Sequence, residues 1–450
     1  MKEFISPNDP ALFGADDSQT IQNAIAAAEA DGCRKVVIPR YNLRTGKNEW
    51  RIGVSIKLPS DFTLILRNCY MVQETGVYDN MFTNSLSAKE PHTMEDEQHD
   101  ITILGEGNVC LSGGVHNGLV ENNAMRYGLP RIWVNTMFLW INVRNLRVEN
   151  LHIERHRWWA ITHLYCRDIK LKNIDFFSAP HVPNMDGIDL RVGCTGFEIE
   201  NITGRTGDDT VAMTALSGRY ERACGVEGKP SDISHVKIRN VISDPFRMLN
   251  IRVLNQDGNK VYDVDIDTIM DSSEFVSKAK PKAAIGIGTQ GSLYTNLAHA
   301  KLEDTHDIHA RNIYTRGSIA VRFDEFCCDS TFKNVKTFNT NVVGISTSGV
   351  GCHLRNIVFD GFYYSSNKMI HRIGVSSNPE GYFQSVVRLP ETTGELTVRN
   401  LHVADIAYLC ELGGSLKLNI EDSVVDNIDQ YCKDKGSAIV VLNGKELGND

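Results

Sequence analysis

The sequence lacks several features that would assign it to a common class of protein. Its 450 residues contain no apolar run near the roughly 20 residues that a membrane-spanning helix needs. Basic residues are in the minority, with 47 Lys and Arg against 56 Asp and Glu, so the basic face of a nucleic-acid-binding protein is not expected. The 11 cysteines are odd in number, include no C-x-x-C pair and lack the regular spacing of a disulfide scaffold. These absences argue against a membrane, nucleic-acid-binding or disulfide-stabilised protein.

The N-terminal residues also lack the apolar segment of a secretory signal. We expect most of the cysteines to be buried thiols that act as small hydrophobic residues. Both observations favour a cytoplasmic protein. The composition, 42% apolar and 23% charged, is that of an ordinary folded chain.

Short segments of alternating polarity recur from about residue 100, and most end on an asparagine followed by an aliphatic residue. Successive asparagines lie 23, 28, 39, 72, 22, 22 and 44 residues apart, and Thr268 divides the interval of 72 into 28 and 44. We interpret the series as a unit of about 22 residues with insertions, and 44 as two units. The asparagines are at positions 150, 173, 201, 240, 312, 334, 356 and 400.

A unit of this length is typical of one turn of a parallel β-helix, in which three short strands stack on those of the next turn. Alternate side chains fill the interior, and the repeated asparagines are expected to hydrogen-bond along the axis. A β-sandwich with chance asparagine spacing is the alternative. The fold class predicted is all-β, a β-helix solenoid with a capping helix before the coils and long loops that form a cleft.

The predicted capping helix follows Asp16 and Ser18, either of which can cap its start, and stops at Gly32. We predict a single β-helix domain over 1–450. Its parts are the N-terminal cap helix and first coils over 1–99, the main coils with the active face over 100–425, and a C-terminal cap over 426–450.

Two aspartate-rich segments follow neighbouring repeats. Asp186 and Asp208 are 22 residues apart, one unit, so a parallel solenoid would place them side by side with about 4.8 Å between backbones. Asp209 would join the same patch. Close carboxylates raise the pKa of at least one of them, which leaves one acid protonated while another is an anion. Cleavage of a glycosidic bond needs one protonated and one anionic carboxyl group. Tight turns and a Ca²⁺ site are the alternative explanations for such a cluster of aspartates.

Residues 131–213 resemble glycoside hydrolase family 28, the polygalacturonases and their relatives. The Asn-Thr-Asp motif of that family is matched by Asn184-Met185-Asp186, and its Gly/Gln-Asp-Asp motif by Gly207-Asp208-Asp209. Its aromatic pair is matched by Trp158-Trp159. The segment ADDSQTIQNAI is similar to the N-terminal segment of many pectin-lyase-like β-helix proteins.

The resemblance implies a right-handed parallel β-helix and an inverting hydrolase. Asp208 would be the general acid, and Asp186 and Asp209 would hold and activate the attacking water. The acid and base of inverting enzymes are roughly 6.5–9.5 Å apart, which leaves room for that water. We expect no metal and no cofactor.

Two motifs of the family are missing. Arg247 takes the position of its histidine, and Gly286 and Gly288 take the positions of an Arg-x-Lys pair that grips a uronate carboxylate. Two glycines cannot form that salt bridge, so we expect a neutral or differently substituted sugar and not pectin. Arg247 and Arg252 are the candidates for a relocated positive charge.

The substrate-binding candidates are Asn184, Trp159, Arg247, Arg252 and His163. Adjacent residues of a strand face opposite ways, so only one residue of the tryptophan pair is expected to line the cleft, and the family match favours Trp159. The long insertions at 114–135, 214–235 and 271–300 are expected to wall the cleft or to contact a partner subunit in a homo-oligomer.

We therefore predict a hydrolase of an oligosaccharide, with no nucleic-acid or membrane partner. Other functions remain open on the same scaffold. They are a uronate lyase or epimerase, a glycosyl transferase or anhydro-sugar-forming enzyme, and a non-catalytic carbohydrate-binding solenoid.

Overall fold

A computed structural model of the chain describes residues 2–115, 136–178, 184–246, 248–272, 283–288, 298–316, 319–338, 344–347, 352–365 and 385–448. The chain divides into two compact units. The first is Met1–Thr210 with Gly218–Ser231, and the second is Val211–Ser217 with Asp232–Asp450. None of the helices within these described ranges has the length and apolar composition needed to cross a membrane.

Fourteen strands lie in the described part of the first unit. They are β1 (Lys35–Pro39), β2 (Trp50–Ile52), β3 (Ile56–Leu58), β4 (Phe62–Arg67), β5 (Tyr70–Gln73), β6 (Phe82–Asn84), β7 (Gln98–Glu106), β8 (Cys110–Ser112), β9 (Phe138–Ile141), β10 (Val143–Glu154), β11 (Ile161–Leu164), β12 (Arg167–Phe177), β13 (Ile188–Leu190) and β14 (Thr195–Arg205). Helix α1 (Asp17–Asp31) precedes them, and the short helix α2 (Arg219–Ala223) follows.

The strands of the first unit stack in three parallel series, one for each face of the solenoid. One face is β1–β4–β7–β10–β12–β14, a second is β2–β5–β8 followed by the end of β10, and the third is β3–β6–β9–β11–β13. Partners in each series come from successive turns of the chain. This is the predicted parallel β-helix.

Each long strand serves two faces because it turns a corner at an asparagine. In β10 the residues before Asn150 pair with β7, whereas those after it pair with β8. Asn150 makes the corner with a φ of 61°, in the left-handed region that asparagine tolerates better than most residues. The other seven repeat asparagines and Thr268 also have positive φ, which explains why this residue type recurs.

The asparagine side chains connect successive turns as predicted. The amide of Asn173 donates to Oδ1 of Asn150 at 2.7 Å, and that of Asn201 donates to Oδ1 of Asn173 at 2.8 Å. In the second unit the amide of Asn334 donates to Oδ1 of Asn312 at 2.7 Å. The ladder satisfies polar groups at the corners, where the backbone leaves the strand pairing.

The predicted repeat arithmetic is wrong at two places. Thr268 and Asn312, 44 residues apart, lie opposite each other on neighbouring strands, so 44 residues form one turn with an insertion and not two turns. Asn356 is outside the ladder, because it lies level with Asp329 and its amide donates to that carboxylate at 2.9 Å. Gly361 takes the corner position there. Spacing alone cannot separate an insertion from an additional turn.

The interior of the first unit is filled by aliphatic side chains that repeat from turn to turn. One such row runs through five strands in register and is fully buried. Its members are Leu64, Ile103, Val148, Leu171 and Ile199. Because each residue covers the one before it, the hydrophobic stabilisation accumulates along the axis.

Helix α1 covers the open end of the first unit, as predicted. Asp16 caps its start by accepting a hydrogen bond from the N–H of Gln19, and Gly32 ends it with a φ of 79°. The apolar face of the helix is buried, and Asp17 accepts a hydrogen bond at 2.8 Å from the N–H of Arg51 in β2. The cap thus shields the end of the core that the first turn would otherwise expose.

Sixteen strands lie in the described part of the second unit. They are β15 (Val211–Ala215), β16 (Ile233–Asp244), β17 (Leu249–Asn255), β18 (Val261–Asp271), β19 (Ala283–Ile287), β20 (Thr305–Arg316), β21 (Ile319–Phe323), β22 (Cys327–Phe338), β23 (Ile345–Ser346), β24 (His353–Ser365), β25 (Ser385–Leu389), β26 (Thr393–Leu412), β27 (Leu416–Glu421), β28 (Val424–Cys432), β29 (Ile439–Leu442) and β30 (Lys445–Glu446).

The second unit repeats the same parallel stacking. One series is β15–β17–β19–β21–β23–β25, and another is β16–β18–β20–β22–β24–β26. Its core includes an aromatic row in which the rings of Phe332 and Phe359 stack 4.7 Å apart. The final strand, β30, pairs antiparallel with β29, so the parallel stacking ends there.

All 11 cysteines lie within the described residues without forming a disulfide, and eight of them are buried, as the sequence predicts. Of the three predicted loops, 214–235 contains α2. Most of the loops at 114–135 and 271–300 lies outside the described residues.

We predict that two substitutions of Asn173 separate the contribution of its side-chain hydrogen bonds from that of its corner conformation. Asn173→Ala removes two side-chain hydrogen bonds and places an alanine at a φ of 55°, so unfolding should require about 2–3 kcal/mol less. Asn173→Gly keeps the corner conformation and should lose only about half of that. Urea denaturation measures both changes, and equal losses would contradict the strain component.

Candidate active site

The aspartates of the two motifs meet in one buried cluster in the first unit. Asp186 lies just before β13, and Asp208 and Asp209 follow β14. Each of the three offers a carboxylate oxygen, and these oxygens are all within 4.8 Å of one another. The residues are only 6%, 8% and 2% exposed. The geometry therefore brings together the residues that the sequence selected, while their role in catalysis stays a prediction.

An irregularity in the strand pairing explains how two adjacent aspartates reach the third. The carbonyl of Met185 accepts a hydrogen bond from the N–H of Asp208 at 3.3 Å, and the N–H of Gly187 donates to the carbonyl of Asp209 at 2.9 Å. The single residue Asp186 therefore lies opposite two residues, as in a β-bulge. Regular alternation would have sent the two adjacent side chains to opposite faces. The sequence predicted that all three aspartates converge, and the irregular pairing is what brings Asp209 to the same side as Asp208.

The close approach of the chains at this point requires a glycine. A Cβ at Gly187 would lie 2.5 Å from the carbonyl oxygen of Thr210 and 3.0 Å from the ring of Phe176. Neither contact can be relieved by a flexible side chain. The glycine after Asp186 therefore permits the pairing that aligns the cluster.

Backbone N–H groups hold the carboxylate of Asp208. The N–H of Asn184 donates to its Oδ2 at 3.0 Å, and the N–H of Asp209 donates to its Oδ1 at 3.0 Å. Asn184, a substrate-binding candidate, has a φ of 60° that turns its N–H toward the cluster. The described contact of Asn184 with the cluster is thus a positioning contact made by its backbone.

His156 is a positioning residue that the sequence analysis did not select. It is fully buried, and burial lowers its pKa to about 4 although hydrogen bonds to the backbone of Met185 and Asp186 oppose the change. Its Nδ1 also lies 3.1 Å from Oγ of Ser178. A neutral imidazole therefore supports the segment that carries Asp186. The only sequence signal was its place beside the tryptophan pair.

A buried arginine next to the cluster was also missed. Arg191 donates through Nε to Oε1 of Glu221 in α2 at 3.0 Å, and its guanidinium lies 4.6 Å from the ring centre of Trp159. Burial by itself lowers the pKa of Arg191, but the charges of Glu221, Asp189 and Asp186 raise it above its usual value. Arg191 therefore stays cationic and favours the anionic form of the nearby carboxylates.

The two tryptophans differ in exposure, since Trp158 is buried and Trp159 is half-buried. The guanidinium of Arg191 stacks on the ring of Trp159, so the two side chains form one cationic and aromatic surface. Arg191 directly follows β13, and a charge between the apolar Leu190 and Val192 is the signal that could have identified it.

One substrate-binding candidate, His163, is not brought to the cluster. His163 is fully buried, its ring packs edge-on against Phe197, and burial lowers its pKa to about 3. It is a core residue that cannot reach a sugar, so its selection was wrong. Arg252 is a buried residue of β17 in the second unit, and Arg247 lies outside the described residues.

The two glycines at the predicted uronate-binding positions are both sterically confined. A Cβ at Gly286 would lie 2.5 Å from the side chain of Leu249. Gly288 has a φ of 95°, and a Cβ there would lie 2.6 Å from the backbone nitrogen of Glu325. The backbone contact at Gly288 therefore leaves no room for a side chain there, whereas the contact at Gly286 is with the end of the Leu249 side chain.

One oxygen of each carboxylate lies within 4.8 Å of the other two, whereas the carboxyl groups of an inverting acid and base are roughly 6.5–9.5 Å apart. A bridging water still fits, because two hydrogen bonds of about 2.7 Å span about 5 Å. The same spacing suits a hard cation, so the Ca²⁺ alternative keeps its geometric basis.

Fold and site together define a parallel β-helix protein with a buried aspartate cluster beside an arginine and a half-exposed tryptophan.

No protein-family model matches the chain. The chain is distantly similar to plant polygalacturonases. It is 25% identical to polygalacturonase QRT2 of Arabidopsis thaliana over 230 residues, 48% of this chain and 47% of that enzyme. It is 27% identical to a probable polygalacturonase of the same plant over 127 residues, 28% of this chain and 25% of the relative. The matches thus span half or less of the length of these relatives.

Solved structures share the fold. A family 28 exopolygalacturonase of Yersinia enterocolitica has a TM-score of 0.52 with 11% identity, over 99% of this chain and 80% of that one. The tailspike protein of E. coli bacteriophage HK620 has a TM-score of 0.59 with 14% identity, over 97% of this chain and 80% of that one. At these identities the likeness establishes the parallel β-helix and nothing about activity.

We predict that Gly187→Ala disturbs the cluster. The added methyl group must displace the carbonyl of Thr210 or the ring of Phe176, which should cost about 1–3 kcal/mol of unfolding free energy. Gly53→Ala is the control, because its Cβ would meet only the flexible end of Glu74. Thermal unfolding of both variants measures the difference, and a neutral Gly187→Ala would contradict the close packing.

Proposed function

We propose that this protein is a glycoside hydrolase that cleaves an oligosaccharide through Asp186, Asp208 and Asp209. The observation that carries the proposal is the meeting of these three buried carboxylates within 4.8 Å. The distant similarity to plant polygalacturonases supports the same chemistry.

Charge repulsion supports a division of roles in the cluster. Three anions confined in a buried space repel one another, so the cluster favours holding a proton at one carboxyl group. Arg191 favours the anionic form of Asp186, which suits that residue as the base. The match to the family motif assigns the acid to Asp208, and the backbone N–H groups fix the direction of its carboxyl group.

The reaction follows from these roles. Asp208 gives its proton to the glycosidic oxygen while the bond between that oxygen and the anomeric carbon breaks. Asp186 and Asp209 take a proton from water, and the hydroxide oxygen bonds to the anomeric carbon from the opposite side. The proton that Asp208 loses goes to the leaving alcohol, and the proton that water loses goes to the base, so the step balances. The half-exposed ring of Trp159 suits stacking against a sugar.

The proposed substrate is neutral or carries substituents other than a uronate carboxylate. A carboxylate normally needs an arginine or lysine partner at close range. Gly286 and Gly288 take the positions of the family's pair, and the backbone of Glu325 excludes a larger side chain at Gly288.

The first test replaces each aspartate of the cluster by asparagine. Asp186→Asn, Asp208→Asn and Asp209→Asn should each lower kcat by about 10²–10⁴-fold, because proton transfer is lost while shape is kept. A substrate with a good leaving group should restore the rate of Asp208→Asn only, since that substrate needs no acid. Steady-state kinetics on both substrates measure this.

Asp168→Asn is the matched control for charge and shape. Asp168 is exposed in the same unit and has a φ of 57°, which asparagine adopts readily. Its kcat should equal that of the unchanged protein. Near-normal turnover in all three cluster variants would refute the proposed site.

The second test is a screen of oligosaccharides with product analysis. Neutral oligosaccharides should be cleaved at least 10–100-fold faster than galacturonides. This ratio corresponds to the free energy of about one charge-assisted hydrogen bond. Product anomers followed by NMR should show inversion. Activity should survive EDTA, whereas chelator sensitivity with an unsaturated, ultraviolet-absorbing product would indicate a Ca²⁺-dependent lyase.

A further inference from the structure

Three potential metal ligands of different chemistry meet on the outer surface of the first unit. Cys110 lies in β8, and His152 and Glu154 lie in β10, the neighbouring parallel strand. Cys110 and His152 are directly paired across the strands. One ligand atom from each of the three residues lies within 4.8 Å of the other two. All three side chains are half-buried.

A carboxylate on the next turn orients the histidine. Nδ1 of His152 lies 2.7 Å from Oδ2 of Asp175, its partner in β12. Asp175 is fixed in turn, because its Oδ1 accepts a hydrogen bond from the hydroxyl of Thr203 at 2.6 Å. With Nδ1 donating to a carboxylate, the lone pair of Nε2 is available. This is the outer contact that metal-binding histidines usually make.

An open pocket adjoins the cluster. It has a volume of about 590 Å³, and its lining includes Cys110, His152, Tyr70 and Arg40. A bound ion would therefore be reached from solvent. Three protein ligands and one exchangeable position is the ligand number of an open zinc site.

We propose that Cys110, His152 and Glu154 bind a borderline-soft divalent cation of the Zn²⁺ class. Thiolate, imidazole and carboxylate are the three ligand types that Zn²⁺ takes, with bonds of about 2.0–2.3 Å. The ligand atoms must move closer together than 4.8 Å, which half-exposed side chains on a rigid pair of strands can do. The ion would join two successive turns of the β-helix.

This site is separate from the proposed hydrolase. None of its ligands belongs to the aspartate cluster, and the proposed reaction uses no metal. Another group in the same unit, Asp61 with His99 and Asp100, also has donor atoms within 4.8 Å of one another. It offers no thiol and is more exposed, so a readout specific for sulfur distinguishes the two groups.

The test is a titration of the metal-free full chain with Co²⁺ under anaerobic conditions. A thiolate-to-cobalt charge-transfer band should grow to one equivalent and should vanish when excess Zn²⁺ is added. Cys110→Ser should abolish the band, and His152→Ala should weaken binding at least 100-fold. Asp175→Asn should weaken it about 10–100-fold through the histidine.

Cys33→Ser is the matched control, because Cys33 is another half-buried cysteine of the same unit. The band should be unchanged in this variant. An unchanged band in Cys110→Ser, or no band in the unaltered protein, would overturn the proposal. Binding abolished by Asp61→Asn would overturn it also, since the ion would then sit at the other group.

A second readout separates binding from misfolding. Zn²⁺ should raise the unfolding temperature of the unaltered protein, because a ligand that binds only the folded state stabilises it. Cys110→Ser should unfold at the metal-free temperature whether or not Zn²⁺ is present. An equal shift in both proteins would contradict the assignment.

Discussion

In-register hydrogen bonding between parallel strands one turn apart is the constraint on which both units depend. It places residues from successive turns beside each other, so that an aliphatic row such as Leu64, Ile103 and Val148 becomes a continuous core. The same rule places asparagines above asparagines at the corners. Sequence separation by one turn therefore becomes spatial contact, for apolar and for chemically active side chains alike.

The candidate active site arises where this regularity is interrupted. One residue, Asp186, faces two residues of the next turn, and this extra residue turns both Asp208 and Asp209 toward it. Gly187 makes the interruption sterically possible. A strictly regular ladder would bring two carboxylates together and send the third away. This local departure from the repeat is therefore what brings the third carboxylate to the other two.

Burial gives the surroundings of the cluster their electrostatic character. His156 stays neutral because it is enclosed, and Arg191 stays charged because Glu221 and Asp189 surround it. Of these two buried basic residues, the histidine is therefore neutral and the arginine is cationic. On the outer surface, the same turn-to-turn pairing sets His152 between Cys110 and Asp175.

Local residue types and a periodic spacing suffice to predict the β-helix, its capping helix, the asparagine corners and the meeting of the aspartates. The sequence could not tell an insertion from an added turn, as Thr268 and Asn312 demonstrate, because spacing carries no register. It also selected His163 and missed Arg191 and His156. The roles of these three residues follow from the folded chain, because their burial and the partners that set their charge come from turns distant in sequence.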